Sequence, residues 1–179
     1  MEEIGEINSL NLSNQNLAFL DSNKDFDIKD LKKVYFLNLR MNFLSEFGGI
    51  AKLESLIHLD ISNNFLKKWT LIVSLRGIGR LKKLKFLFCK ENGLEDCSDL
   101  MNPELELLDL QKNQLSDSEQ VLKVVANLHK LRQRDLRDNC FVEESELMTS
   151  ILSASVGLEN YNASTIEQLR KTVEGESKE

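Results

Sequence analysis

The feature that most constrains this chain is a pattern that repeats. Residues Leu56-Ile57-His58-Leu59-Asp60-Ile61-Ser62-Asn63-Asn64-Phe65-Leu66 read LxxLxLxxNxL. The same order of apolar positions starts at Ile7, Val34, Leu56, Leu84, Leu105 and Leu131, at steps of 27, 22, 28, 21 and 26 residues. The polar slot holds Asn42, Asn64, Asn92, Asn113 and Asn139, with Gln15 in the first unit. A unit of this size cannot bury its own apolar side, so the chain must stack like units and share one core along the stack.

Within each unit two apolar residues alternate along a short extended run, which puts both on one side. The pairs are Leu10 and Leu12, Leu37 and Leu39, Leu59 and Ile61, Leu87 and Cys89, Leu108 and Leu110. A leucine-rich helical bundle would instead need a 3.6-residue period through these runs. Past each run the chain turns inward and strands main-chain donors and acceptors away from water. An asparagine amide supplies both a donor and an acceptor on a short arm. Replacing Asn92 or Asn113 with alanine is therefore expected to cost roughly 1–3 kcal/mol.

Spacing and asparagine slot together resemble the leucine-rich repeat family. The resemblance implies an α/β fold: a right-handed solenoid with a parallel β-sheet on its concave face and helices or 3₁₀ segments on its convex face. The connections fit. Leu44, Phe47, Ile50 and Leu53 recur every third residue and predict a 3₁₀-like return. Trp69, Ile72, Leu75, Ile78 and Leu81 line one side of a longer return, with Trp69 as core filler. Asp27 ahead of Asp30 is placed to start a helical turn. Ser116 with Glu119 reads as a capping box ahead of a helix carrying Val121, Leu122, Val125 and Leu128 on one face.

After Asn139 the character changes. Leu147, Ile151 and Leu152 lead to Leu158-Glu159-Asn160-Tyr161-Asn162, and Ser164 with Glu167 forms a second capping pair. This stretch resembles the C-terminal cap of intracellular leucine-rich repeat proteins. That group includes the spliceosomal A-prime protein, the leucine-rich regulator of type-one protein phosphatase and axonemal proteins of cilia. Cys140 stands where the family has proline, and Tyr161-Asn162 where it has leucine before aspartate or asparagine. The expected organisation is a single domain over 1–173, with 140–173 as the cap and 174–179 as a polar, disordered tail.

Composition narrows the classes. Apolar residues make up 41%, enough for a continuous core. Met1-Glu2-Glu3-Ile4-Gly5-Glu6 lacks the basic start and apolar run of a secretory signal, and no stretch reaches the ~20 apolar residues of a membrane span. Three cysteines do not form a disulfide framework. The expectation is an intracellular protein, cytoplasmic or nuclear, with cilia as a further setting, acting as a monomer or weak dimer. A net charge of -6 argues against nucleic acid. The basic run Arg76, Arg80, Lys82, Lys83 and Lys85 reads as the solvated side of one connection.

No catalytic set emerges. Only His58 and His129 are present, far apart in the repeat, so no metal cluster is expected. Cys89 and Cys97 occupy core slots, where a thiol is inert. Gly48-Gly49 and Gly77-Ile78-Gly79 lack the lysine of a phosphate-cradling loop. No cofactor is expected.

The outward side of the runs carries the candidate site. One row reads Ser9, Phe36, His58, Phe86, Leu107, Gln133; the next Asn11, Asn38, Asp60, Phe88, Asp109, Asp135; the third Ser13, Arg40, Ser62, Lys90, Gln111, Arg137. Phe36, Phe86, Phe88 and Leu107 are expected to stand exposed on the concave face, rimmed by Arg40, Asp60, Lys90 and Asp109, with His58 among them. That profile suits a protein-binding surface. The expected function is a non-catalytic scaffold or adaptor that holds a partner protein there, with an RNA adaptor of leucine-rich repeat type as the alternative. Arg134, in the column of Leu10, Leu37, Leu59, Leu87 and Leu108, is expected to pack its stem between Leu108 and Tyr161 and turn its head to water or an acceptor.

Overall fold

The structure, a computed structural model, describes residues 8–20, 31–44, 49–64 and 77–140. Six three-residue strands form one parallel sheet in sequence order: β1 Ser9–Asn11, β2 Phe36–Asn38, β3 His58–Asp60, β4 Phe86–Phe88, β5 Leu107–Asp109 and β6 Gln133–Asp135. Every strand falls at the same place in its unit. The register is unbroken, with Leu10, Leu37, Leu59, Leu87, Leu108 and Arg134 opposite one another in turn.

The core lies on the inward side of this sheet. Leu37, Leu39, Leu59, Ile61, Leu87, Cys89, Leu108 and Leu110 are buried there, while Leu10, Leu12 and Leu136 at the two ends are only partly so. The returns close the other side. Two 3₁₀ turns, Ile50–Lys52 and Ile78–Arg80, bury Ile50, Ala51 and Ile78. The first matches the short return expected from the every-third-residue spacing. Gly77 starts the second turn at φ +99°, and a Cβ there would meet the Ala51 Cβ at 2.9 Å, so both backbone and space call for glycine.

The one helix of the described residues is α1, Ser118–Asn127, which buries Val121, Val124 and Val125. Its start corrects the sequence expectation. Asp117, not Ser116, is the N-cap: it is extended, and its carboxylate accepts from the Gln120 N–H at 2.9 Å. Gln120 then reaches the previous unit, where its Oε1 accepts from the Cys97 N–H at 3.1 Å. The expectations for Asp27 and Asp30, for Trp69, for the cap beyond Cys140 and for the tail lie outside the described residues.

The asparagines do what the pattern demanded, and bind the units to one another as well. Asn113 Nδ2 donates to Leu110 O at 2.9 Å in its own unit and to Cys89 O at 3.0 Å in the one before. Its Oδ1 accepts from the Asn92 and Leu94 N–H groups at 3.1 and 3.0 Å. Asn42, Asn64, Asn92 and Asn139 repeat the two donations. Just before this slot Asn14, Met41, Asn63, Glu91, Lys112 and Asp138 all lie in the left-handed region, at φ between 54° and 58°. The turn into the asparagine requires it, in every unit and without glycine.

Candidate functional site

The concave face is built by the strands alone. Because consecutive side chains alternate across the sheet, Phe36, His58, Phe86 and Leu107 form one outward row, in direct register. Asp60, Phe88 and Asp109 form the next, with Phe88 between the two aspartates. The rings touch across strands. His58 stacks on Phe36 with centroids 4.5 Å apart and lies 5.1 Å from Phe88 and 6.1 Å from Phe86. His58 is thus the hub joining Phe36 to the phenylalanines of β4. Phe88, Leu107 and Phe86 make an apolar cluster of their own, separate from the core on the other side of the sheet.

The expectation that this row stands exposed is overturned. Phe88 and Leu107 are 1% exposed, Phe36 6% and His58 7%; Phe86 is half-buried. Asp60 and Asp109 are equally deep, so they are no solvent-facing rim. Arg40 and Lys90 are half-buried. Alternation along a strand tells which side a residue faces, and says nothing about what lies over that side. The mutual contact of rings one strand apart, about 4.8 Å, hides their flanks. Among the described residues, the large apolar side chains that do stand exposed are elsewhere: Phe19, Tyr35, Met41, Phe43 and Met101.

The sequence reading also missed what the second row does locally. The Oδ1 atoms of Asn11, Asn38, Asp60, Asp109 and Asp135 each accept the N–H two residues on, from Ser13, Arg40, Ser62, Gln111 and Arg137, at 2.8 to 3.1 Å. These Asx turns end the strands. The signal was present as an Asn/Asp column broken only by Phe88. Arg137 closes back on Asp135, its Nε at 2.9 Å from Oδ1, and this pairing holds its guanidinium above the ordinary value.

At the edge of the face Glu91 accepts from Asn63 Nδ2 and pairs with Lys112 at 3.1 Å. Burial alone would raise its carboxyl. The hydrogen bond and charge of Lys112, helped by Lys90 and Asn63, hold it below the ordinary carboxylate range instead. Arg134 lies half-buried opposite Leu108, and desolvation lowers its guanidinium from the ordinary value; Tyr161 lies outside the described residues.

The thiols agree with their core slots. Burial pushes Cys89 well above the ordinary thiol value, with Asp109 and Asp60 adding to it. Burial, then Asp96 and Asp117, push Cys97 up to about 12. Neither forms a thiolate near neutral pH. Cys140 is exposed. Among the described residues no group of three His, Cys, Asp or Glu side chains is placed to hold a metal. No described helix is long and apolar enough to cross a membrane. Of the basic run, Arg80, Lys82 and Lys83 are exposed, while Lys85 pairs with Glu106 at 2.9 Å.

Known structures share this architecture. An internalin of Listeria monocytogenes superposes with a TM-score of 0.62 at 22% identity, over 74% of this chain and 36% of its own. A leucine-rich repeat protein of Leptospira interrogans gives 0.66 at 24% identity, over 88% and 37%. This chain therefore spans little more than a third of the length of either. No family model and no curated protein matches it. Fold and neighbours define the class: the chain has the α/β solenoid fold of leucine-rich repeat proteins.

Proposed function

We propose that this chain is a non-catalytic interaction scaffold that holds an apolar segment of a partner protein, an amphipathic helix or extended peptide, in its concave face. Phe36, His58, Phe86, Phe88 and Leu107 supply the apolar row, and Arg40, Asp60, Lys90 and Asp109 flank it. The observation that carries this is the second apolar cluster. A solenoid needs one core, and these side chains belong to neither its packing nor its returns. Since the row is buried in the chain by itself, a partner segment enters by exchange rather than onto bare surface.

Co-purification tests the reading with Phe86→Ala, the half-buried member of the row, against Lys83→Ala on an exposed connection. A partner held by the wild-type chain should be lost from Phe86→Ala and kept by Lys83→Ala, both variants melting within a few degrees of wild type. Undiminished capture by Phe86→Ala would remove the concave face from the binding reaction.

A further inference from the structure

We propose that the edge of the solenoid where the returns feed into the strands is a second binding surface, for a short acidic segment of a partner protein. Each return ends there in the same turn. The N–H groups of Val34, Leu56, Leu84, Leu105 and Leu131 donate to the carbonyl three residues back at 3.0 to 3.2 Å. Both ends of every turn are buried, so the two residues between them form its outer tip. The tips of the second and fourth units are Lys32-Lys33 and Lys82-Lys83, all exposed.

Charge is segregated onto this edge. Taken with the residue on either side of each turn, it holds nine of the fifteen Lys and Arg among the described residues but only three of the thirteen Asp and Glu. In a chain of net charge -6, that excess is local.

The last two units show how carboxylates fit it. Lys130 pairs with Glu104 at 2.7 Å and Lys85 with Glu106 at 2.9 Å, each across one unit boundary. Toward β2 the balance is different. Lys32, Lys82, Lys83 and, just before its turn, Arg80 are exposed and make no ion pair among the described residues. Glu54 is the one described acid between the two lysine pairs. Two unit spacings, about 10 Å, separate Lys32 from Lys82, close to the Debye length of about 8 Å at physiological salt, so their potentials add.

The length of this track selects the partner. A nucleic-acid strand takes about four or more nucleotides per site. Here the track closes at Glu104 and Glu106 after about 10 Å, which about three residues of extended peptide cover. Beside the lysines stand Tyr35, 46% exposed, and the half-buried Ile57, whose N–H donates to Tyr35 O at 2.8 Å. An apolar residue among acidic ones rests on this pair, a contact that a phosphate backbone does not make. The edge lies apart from the concave row, and neither reading rests on the other.

The test follows the fluorescence anisotropy of a labelled acidic peptide, glutamates around one phenylalanine, mixed with the full chain at low salt. Wild type should bind it. Lys32→Glu/Lys82→Glu should bind it about tenfold more weakly, through two lost pairings and two new repulsions. Lys112→Glu/Lys123→Glu makes the same change of net charge at exposed positions off the edge and should hold the peptide as wild type does. So should Phe86→Ala, which separates this site from the concave one. All four lysines are exposed, so both double variants should melt as wild type does. Equal affinities in the two double variants, or no binding by wild type, would overturn the proposal. An oligouridylate or phosphatidylserine vesicles held more tightly than the peptide, and released by Lys32→Glu/Lys82→Glu, would overturn it too, in favour of nucleic acid or lipid.

Discussion

The two faces of this sheet are buried to nearly the same depth by different means. On the inward side, Leu87 and Leu108 belong to columns of aliphatic residues that every unit renews, and the returns of the same units close over them. On the outward side, Leu107 belongs to a row that changes from unit to unit, from serine through phenylalanine to glutamine, and Phe88 interrupts a row otherwise of asparagine and aspartate. The inward face is buried because the repeat requires it. The outward face is buried although the repeat does not, which marks it as the place where this solenoid differs from a bare stack.

The sharpest way to break that comparison is a matched pair on one strand. Leu87→Ala and Phe88→Ala should each lower the free energy of unfolding by about 3 kcal/mol, because each empties a filled site. Chemical denaturation of the two variants measures it. An open outward face would make Phe88→Ala nearly silent, while Leu87→Ala stayed large.

A smaller effect separates the middle of the stack from its end. Asn113→Ala orphans carbonyls of two units and two N–H groups, and should cost about 2 kcal/mol. Asn139→Ala, at a half-buried position, should cost about 1 kcal/mol. Equal losses would mean that the ladder does not depend on burial.

The smallest effect concerns the edge of the outward face. Glu91 has a lowered carboxyl in the folded chain, so its pairing stabilises the fold above the ordinary value of 4.5 and is lost as pH falls below it. Being partly exposed on both sides and screened by solvent, the pair should be worth about 0.5 kcal/mol or less. Glu91→Gln should then flatten a small part of the stability loss between pH 7 and pH 3, followed by thermal unfolding. A slope steeper than wild type would reverse the sign argued here.

Much of this was legible in the residues. The periodicity of Leu56, Leu59, Ile61 and Asn64 carried the strand positions, the parallel register and the core columns, because a repeat states the same constraint six times. Asn113 could be assigned its task because few other side chains both donate and accept at that reach. The site was half legible. Alternation placed Phe86, Phe88 and Leu107 on the concave side, and their burial was hidden because a strand's period says which side a residue faces and nothing of how deeply it sits there. The helix start slipped by one residue since Ser116 and Asp117 both cap well, and only the backbone shows which is extended. The left-handed turns at Met41, Glu91 and Lys112 left no glycine to announce them.

Thiol labelling tests the covered outward face most directly, since the chain carries its own references: Cys89 and Cys97 buried in the core, Cys140 exposed. In a Leu107→Cys variant, the new thiol should react with a colorimetric disulfide reagent as slowly as Cys89 and Cys97. A new thiol that reacts as fast as Cys140, in a chain that still melts cooperatively, would show the concave row open to water.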